Sequence, residues 1–375
     1  MKKATSSLTT TGVLQLISIV IIFLGVACAD MSQTVDDARP VEKLEPKVFQ
    51  IGITSGLSRT PWTVAKRSSQ LKKIEQRHGV RLEFVSFGNE ADAVAAYAAE
   101  QIDGVTSTLN TLVGTLETGS RDTRVILLTD YSLHGLVSRQ GTDLEDLVGQ
   151  PIHVQLDTAS HYFLFRILEH AGLEMIDVEL VDSSALEILE GAVDGTIKTF
   201  AAGAPLLGQL SALPDFHQIM TSDMLVEEMV GGVAVAGPVI SENPALGDAL
   251  VEAWFGAAAD LLTADNDFSQ NGLAQISKFS GLSKAVVEEF LQPRALIANP
   301  NQSLELLEED NLNVAIFGGQ RFRTAADDEK CTKSDPRACL FVRDGNVIEN
   351  GVGTRLYLDR QYLEKFIQDK VHVIQ

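Results

Sequence analysis

From Lys47 onward, short runs rich in β-branched residues alternate with stretches of helical periodicity. That alternation restricts the chain to α/β architectures with largely parallel sheets. VFQIGIT (48–54) reads as a strand, followed by the loop SGLSRT and a helix that Thr60 can cap and Pro61 can open. Val64, Leu71 and Ile74 share one face of this helix, which ends near His78-Gly79. RLEFVSF (81–87) is the next strand, 90–99 a helix and RVILLTD (124–130) a further strand. Near Leu136 a second series begins: PIHVQL, a helix over 160–171, VELVD, a helix from Ser184, and GTIKTF. GGVAVAG (231–237) reads as a short buried strand that carries the chain back, and 243–265 and 271–291 are strongly helical. Such a path gives one lobe from 47–136 and 236–375 and a second from 137–235, with a hinge near Leu136 and Val233. The cleft between two lobes is a preferred place for a small ligand.

The N-terminus bounds the compartment. Lys2 and Lys3 are followed by no charge until Asp30, and VLQLISIVIIFLGVACA (13–29) is an apolar run ending in small residues, the pattern of an export signal over 1–29. Ala27-Cys28-Ala29 fits ordinary signal cleavage, whereas the approach from Leu24 to Cys28 fits a lipoprotein box that would place a lipid on Cys28. An uncleaved anchor is the third reading, and all three put the body outside the cytoplasm. Residues 30–46 are polar, hold two prolines and read as a tether. The formal charge of −21 argues against a nucleic-acid partner or an anionic membrane surface, since both recruit Lys and Arg. Membrane association is therefore expected only through the leader or its lipid. Cys331 and Cys339 enclose a polar loop and are expected to form a disulfide in an oxidising compartment, worth roughly 2–3 kcal/mol. Cys28 is then the odd thiol.

One stretch is specific enough to name a family. PWTVAKRSSQLKKIEQRHGVRLEFVSFGNEADAVAAYAAEQIDGVTSTLNTL resembles the first lobe of solute-binding proteins of ABC importers, in the nitrate/sulfonate/taurine group that includes binders of thiamine-pyrimidine precursors. Gln101-Ile102-Asp103-Gly104 stands at that group's characteristic turn, and DLVGQPIHVQLDTASHYFLFRILEHAGL and VELVDSSALEILEGAVDGTIKTF resemble blocks of its second lobe. Pro61-Trp62, Ser160-His161 and RLYLD are most similar to the subgroup that accompanies urea-carboxylase operons. The resemblance implies a two-lobed periplasmic binding protein fold of type II, with mixed sheets flanked by helices. It also implies a monomer that hands a small solute to a membrane permease and, through it, an ATPase. Three departures bear on the solute. The sequence has Lys198-Thr199-Phe200-Ala201-Ala202 where the group has Trp-x-Pro, His134 near an acidic position of amine-binding members, and Gly231-Gly232 where an Asp is common.

A solute in such a cleft needs fixed donors and acceptors and a wall to lie against. Ser55 and Gly56 can offer a hydroxyl and an amide, or serve only their turn. Trp62 can stack on a planar solute or fill the core, and Phe200 offers the same choice in lobe two. Thr106, Ser107 and Thr108 precede a helix whose free amides favour an anion or carbonyl oxygen, unless one of them is simply its cap. Thr158, Ser160 and His161 open the lobe-two helix in the same way, and His134 can face the solute or line the hinge. His153 and His161 flank Asp157, but nothing in the spacing resembles a zinc motif, and no Gly-x-Ser-x-Gly, Gly-x-Gly-x-x-Gly or P-loop pattern occurs. The expectation is a non-catalytic binder, without cofactor or metal, of a urea- or guanidine-like compound, nitrate, a sulfonate or a pyrimidine precursor. The alternative is a sensory module built on the same lobes, with an enzyme third.

Overall fold

The computed structural model describes residues 45–374 except 55, 117–120, 211–212, 214, 226–227, 293–294, 308–339, 344–345 and 350–354. The leader, the tether up to residue 44, Ser55, Cys28, Cys331 and Cys339 lie outside the described residues. The chain divides into Met1–Glu45 and Pro46–Gln375, and every element below belongs to the second unit. No helix among the described residues is long and apolar enough to cross a membrane.

The chain first lays down β1 (Lys47–Thr54), α1 (Thr60–Arg67), α2 (Ser69–His78), β2 (Val80–Phe87), α3 (Glu90–Ala98), β3 (Gly104–Thr108), α4 (Leu109–Leu116) and β4 (Thr123–Tyr131). It then builds β5 (His134–Ser138), β6 (Pro151–Val154), α5 (Ala159–His170), β7 (Glu179–Asp182), α6 (Ala185–Asp194), β8 (Thr199–Gly203), α7 (Ala204–Leu210) and β9 (His217–Thr221). It returns through β10 (Val230–Ala236), α8 (Gly237–Glu242), α9 (Pro244–Leu261), α10 (Gln270–Ser280), α11 (Lys284–Phe290) and α12 (Pro300–Leu306). The last elements are β11 (Leu340–Arg343), β12 (Asn346–Glu349), β13 (Arg355–Leu358) and α13 (Gln361–Ile374).

Two mixed sheets result. The larger runs β11-β12-β13-β4-β10-β3-β1-β2, and the smaller β7-β6-β8-β5-β9. β1 pairs in parallel with β2 and β3, while β10 returns antiparallel between β3 and β4. In the smaller sheet β6 is parallel to β7 and β8, and β5 is antiparallel to β8 and β9. Helices cover both faces of the larger sheet, so its central strands β3 and β10 are buried along their whole length, which is why they read as continuous small and β-branched runs.

The chain crosses between sheets twice, and the two crossings are tied together. Ser132 N donates to Met229 O at 2.7 Å, Ser222 Oγ donates to Ser132 O at 3.0 Å, and His134 N donates to Ser222 Oγ at 3.0 Å. Leu136 and Val233, expected at the hinge, lie inside β5 and β10. Behind the crossings, Leu273, Ile276, Leu282 and Val287 of the α10–α11 region pack with Val64 and Ala65 of α1, Ala257 of α9 and Ala204 of α7.

Several elements differ from the sequence expectation. The single helix after Pro61 is two, because Ser68 is extended and its Oγ caps α2 by accepting from Gln70 N at 3.0 Å. The helical run 271–291 is broken at Gly281, whose φ of +74° closes α10. Thr106, Ser107 and Thr108 are the end of a strand, not a loop, because pairing with β10 holds them extended. β9 carried no recognisable signal: its residues HQIMT are at most half-buried at the sheet edge.

Candidate functional site

The C-terminal ends of the parallel strands of both sheets face one another, the usual place for a ligand in an open α/β sheet. A cavity of about 360 Å³ lies there. The larger sheet contributes Thr54, Arg59, Asn89 and Glu90, and the smaller one His134, Gln155, Thr158, Ser160, Gly203 and Gln209. Its remaining wall is aliphatic, from Ala159, Ala185, Leu186, Ile188, Leu189 and Leu206. A smaller chamber of about 80 Å³ continues toward the crossings, sharing Arg59, Glu90 and His134 and adding Gly56, Ser58 and Ser132.

The larger-sheet wall is a buried charged cluster. Thr60, expected to cap α1, lies inside the helix with its hydroxyl donated to Leu57 O at 2.8 Å, so Arg59 takes the N-cap position and its side chain turns to the site. The Arg59 guanidinium donates through Nη1 to Thr54 Oγ1 at 2.9 Å and to Glu90 Oε1, and its Nε lies 3.8 Å from Asp130 Oδ2. Nη2 has no partner among the described residues although Arg59 is only 5% exposed. Burial alone would lower the Arg59 pKa, but the Glu90 and Asp130 carboxylates outweigh it and hold the pKa above its ordinary value. Burial likewise works to raise Glu90, yet the Arg59 charge and the Thr108 hydrogen bond keep it below the usual carboxylate range. Asp130 accepts from Ser58 Oγ and Thr129 Oγ1, both at 2.6 Å. Gly231 makes room for it, since a Cβ there would stand 2.5 Å from Asp130 Oδ1.

Glu90 also answers the question of the α4 N-terminus. Its Oε2 accepts from Thr108 Oγ1 at 2.8 Å, Thr108 N at 3.2 Å and Ser107 Oγ at 3.4 Å. The anion expected at this helix start is therefore a carboxylate of the chain itself. Thr106 is buried in β3, its hydroxyl without a partner among the described residues.

The smaller-sheet wall is neutral. Thr158 is the N-cap of α5 but does not cap it, because its hydroxyl donates to Gln155 O at 2.7 Å. The first-turn residues Ala159 and Ser160 consequently line the cavity with no side chain over their amides. Ser160 Oγ lies 3.0 Å from His134 Nδ1, and His134 Nε2 lies 3.3 Å from Ser132 Oγ, so the imidazole bridges α5 and the first crossing. Burial pushes the His134 pKa down to about 4, with Glu90 opposing and Arg59 adding to the shift. His161 is also lowered to about 4 by burial, against Asp157 and Asp182, and its Nδ1 accepts from Asp157 N at 3.3 Å. Behind α5, Arg166 grips Glu228 of the second crossing through Nε at 2.6 Å and Nη2 at 2.9 Å, and Tyr162 Oη donates to the same carboxylate at 2.6 Å.

Of the residues singled out in the sequence, His134, Thr158 and Ser160 line the main cavity and Gly56 the smaller chamber. Ser107 and Thr108 sit one layer behind, holding Glu90. Trp62 and Phe200, expected as aromatic walls, line neither chamber. Trp62 is fully buried against Phe84 and Trp254, with centroids 5.8 and 5.2 Å away, and Phe200 packs edge-on against Phe216 at 5.3 Å. His161 points to the Asp157 turn, and His153 bonds Ser183 at 2.9 Å. No group of three or more His, Cys, Asp or Glu among the described residues is placed to hold a metal. Sequence reasoning missed Arg59, Glu90 and Asp130, although all three are charged residues at or just beyond strand ends, the signal that the strand-end rule supplies.

The family described as NMT1/THI5 like matches residues 76–254. Among solved structures, the alkanesulfonate-binding protein SsuA from Xanthomonas axonopodis pv. citri bound to MOPS is similar with a TM-score of 0.59 and 19% identity, over 74% of this chain and 94% of that one. The periplasmic aliphatic sulphonate binding protein SsuA from Escherichia coli is similar with a TM-score of 0.61 and 18% identity, over 75% and 88%. The chain has the two-lobed periplasmic binding protein fold. The periplasmic nitrate-binding protein NrtA from Synechocystis PCC 6803 shares it, with a TM-score of 0.54 and 12% identity over 86% of this chain and 98% of that one. No curated protein matches the chain in sequence.

Proposed function

We propose that the protein is the solute-binding component of an ABC importer, which captures a small nitrogen- or sulfur-containing solute outside the cytoplasm and delivers it to a membrane permease without chemical change. The observation that carries this reading is the cavity of about 360 Å³ lined from both sheets beside two hydrogen-bonded crossings. A ligand that touches both walls favours the closed arrangement over the open one, which is the signal a permease can read. Among the described wall residues, Ser160 Oγ lies beside the His134 imidazole, but the other ring nitrogen faces the Ser132 hydroxyl and no carboxylate orients the pair as a catalytic triad would. The sequence resemblance to the group that includes the urea-carboxylase subgroup supports the same role, as does the similarity to sulfonate- and nitrate-binding proteins. The leader and Cys28 would supply export and, in the lipoprotein reading, the anchor.

The test is a thermal-shift screen of the full chain against nitrate, taurine, alkanesulfonates, urea, guanidine, aliphatic amides and pyrimidine precursors. A true solute at 100 times its Kd stabilises by about 2.7 kcal/mol and is recovered unchanged after incubation. A panel without any shift overturns the reading, and so does recovery of a converted solute.

A further inference from the structure

The composition of the cavity wall specifies the kind of solute more narrowly than the fold does. Among the described residues no Phe, Tyr or Trp lines either chamber, so the groups there that could stack on a flat ring are the His134 imidazole and the Arg59 guanidinium, both already held by hydrogen bonds. Instead Ala159, Ala185, Leu186, Ile188, Leu189 and Leu206 offer aliphatic surface, and the volume lies near the small end of the roughly 300–1,000 Å³ typical of ligand pockets. Nitrate or urea would leave most of that surface uncovered.

The polar end is defined by Arg59 and Glu90. Glu90 Oε2 is taken by Thr108 and Ser107, while among the described residues Oε1 receives only Arg59 and keeps a lone pair. Arg59 spends Nη1 on Thr54 and Glu90, and its buried Nη2 has no partner among the described residues. One spare donor thus stands beside one spare acceptor, on groups whose charges cancel. Asp130 adds negative charge behind them, and His134 is neutral at physiological pH. An anionic head would meet Arg59 but also two carboxylates, and a cationic head would meet both carboxylates but, having no acceptor, would leave Arg59 Nη2 unpaired. The α5 amides serve any oxygen acceptor, a sulfonate included, so discrimination falls to Glu90.

We propose that the solute is a neutral aliphatic carboxamide, whose carbonyl oxygen accepts from Arg59 Nη2, whose N–H donates to Glu90 Oε1, and whose alkyl chain lies on the Ala and Leu wall. This rests on the solute-binding reading. The experiment is calorimetric titration of the full chain with three probes of similar length: pentanamide, butane-1-sulfonate and pentylammonium. Pentanamide should bind about tenfold or more tightly than either ion. In Glu90→Gln, which keeps an acceptor for Thr108 but leaves Arg59 with less compensation, the preference should move about tenfold toward the sulfonate. Tighter binding of either ion to the unaltered protein overturns the proposal, whether or not the variant folds. If none of the three binds while another member of the wider panel does, the carboxamide assignment fails and the solute-binding role stands. If nothing in either set binds, the role itself fails.

Discussion

The two walls of the cavity reach the same end by different physics. On the larger sheet, Arg59, Glu90 and Asp130 form a buried charged cluster in which nearly every polar atom is held by the chain's own groups, including the start of α4. On the smaller sheet, α5 begins without a side-chain cap, and its neighbour His134 is neutral. One wall has most of its charged atoms paired within the chain, so that among the described residues Arg59 Nη2 and a lone pair of Glu90 Oε1 are left over. The other leaves its helix start without a side-chain cap. The contrast teaches that two helix N-termini in similar topological places need not do similar work: what matters is whether the fold has already supplied the anion.

The contrast can be broken at its strongest point by Glu90→Ala, which strands a buried guanidinium. The expected cost is about 3–5 kcal/mol, read as a large fall in denaturation midpoint, and an unchanged midpoint would erase the distinction between the walls.

Acid tests the neutral wall. His134 titrates near 6.5 when unfolded and is lowered to about 4 in the fold, so its contribution is complete above pH 6.5. As pH falls from 6.5 to about 4 the unfolded chain takes up a proton that the native chain refuses, and stability drops by roughly 3 kcal/mol. His161 acts in the same direction over the same window. The lowered pKa of Glu90 places its loss at lower pH, beginning in the ordinary carboxylate range as the unfolded chain protonates and continuing down through its own lowered pKa. Unfolding midpoints measured across this range should therefore fall first through the histidines, and His134→Gln should remove much of the slope.

A smaller effect is expected from Gly231→Ala. The new methyl must displace the Asp130 carboxylate, at a cost of about 1–3 kcal/mol, and melting curves compared with Gly256→Ala, which meets nothing within 4 Å, isolate the clash. Smallest is Ser160→Ala, which loses the 3.0 Å contact to His134 and should cost only about 1 kcal/mol of stability while weakening solute binding more than folding. Equal loss of both would make Ser160 a structural residue only.

Much of this organisation was legible along the chain. The β1 and β2 runs, the helix opening at Ser184, the small-residue strand β10 and the helical return all carried local signals in periodicity and turn chemistry. The start of α5 at Thr158 and Ser160 was likewise marked by a polar pair following a strand, and the structure places both in the cavity wall. Trp62 and Phe200 were misplaced because an aromatic residue beside a site and one under it look alike in sequence, and only packing against Phe84, Trp254 and Phe216 separates them. β9 was invisible because an edge strand with half-exposed residues has no alternation to detect.

By itself, the sequence determined the α/β alternation, the departure into a second lobe and the return, since these follow from hydrophobic periodicity and turn chemistry acting over a few residues. The tertiary structure alone decided which charges meet. Arg59, Glu90 and Asp130 are separated by dozens of residues and come together only when β1, β2 and β4 take their places in one sheet. Burial then makes each depend on the others, because a charge removed from water must find its partner within the fold.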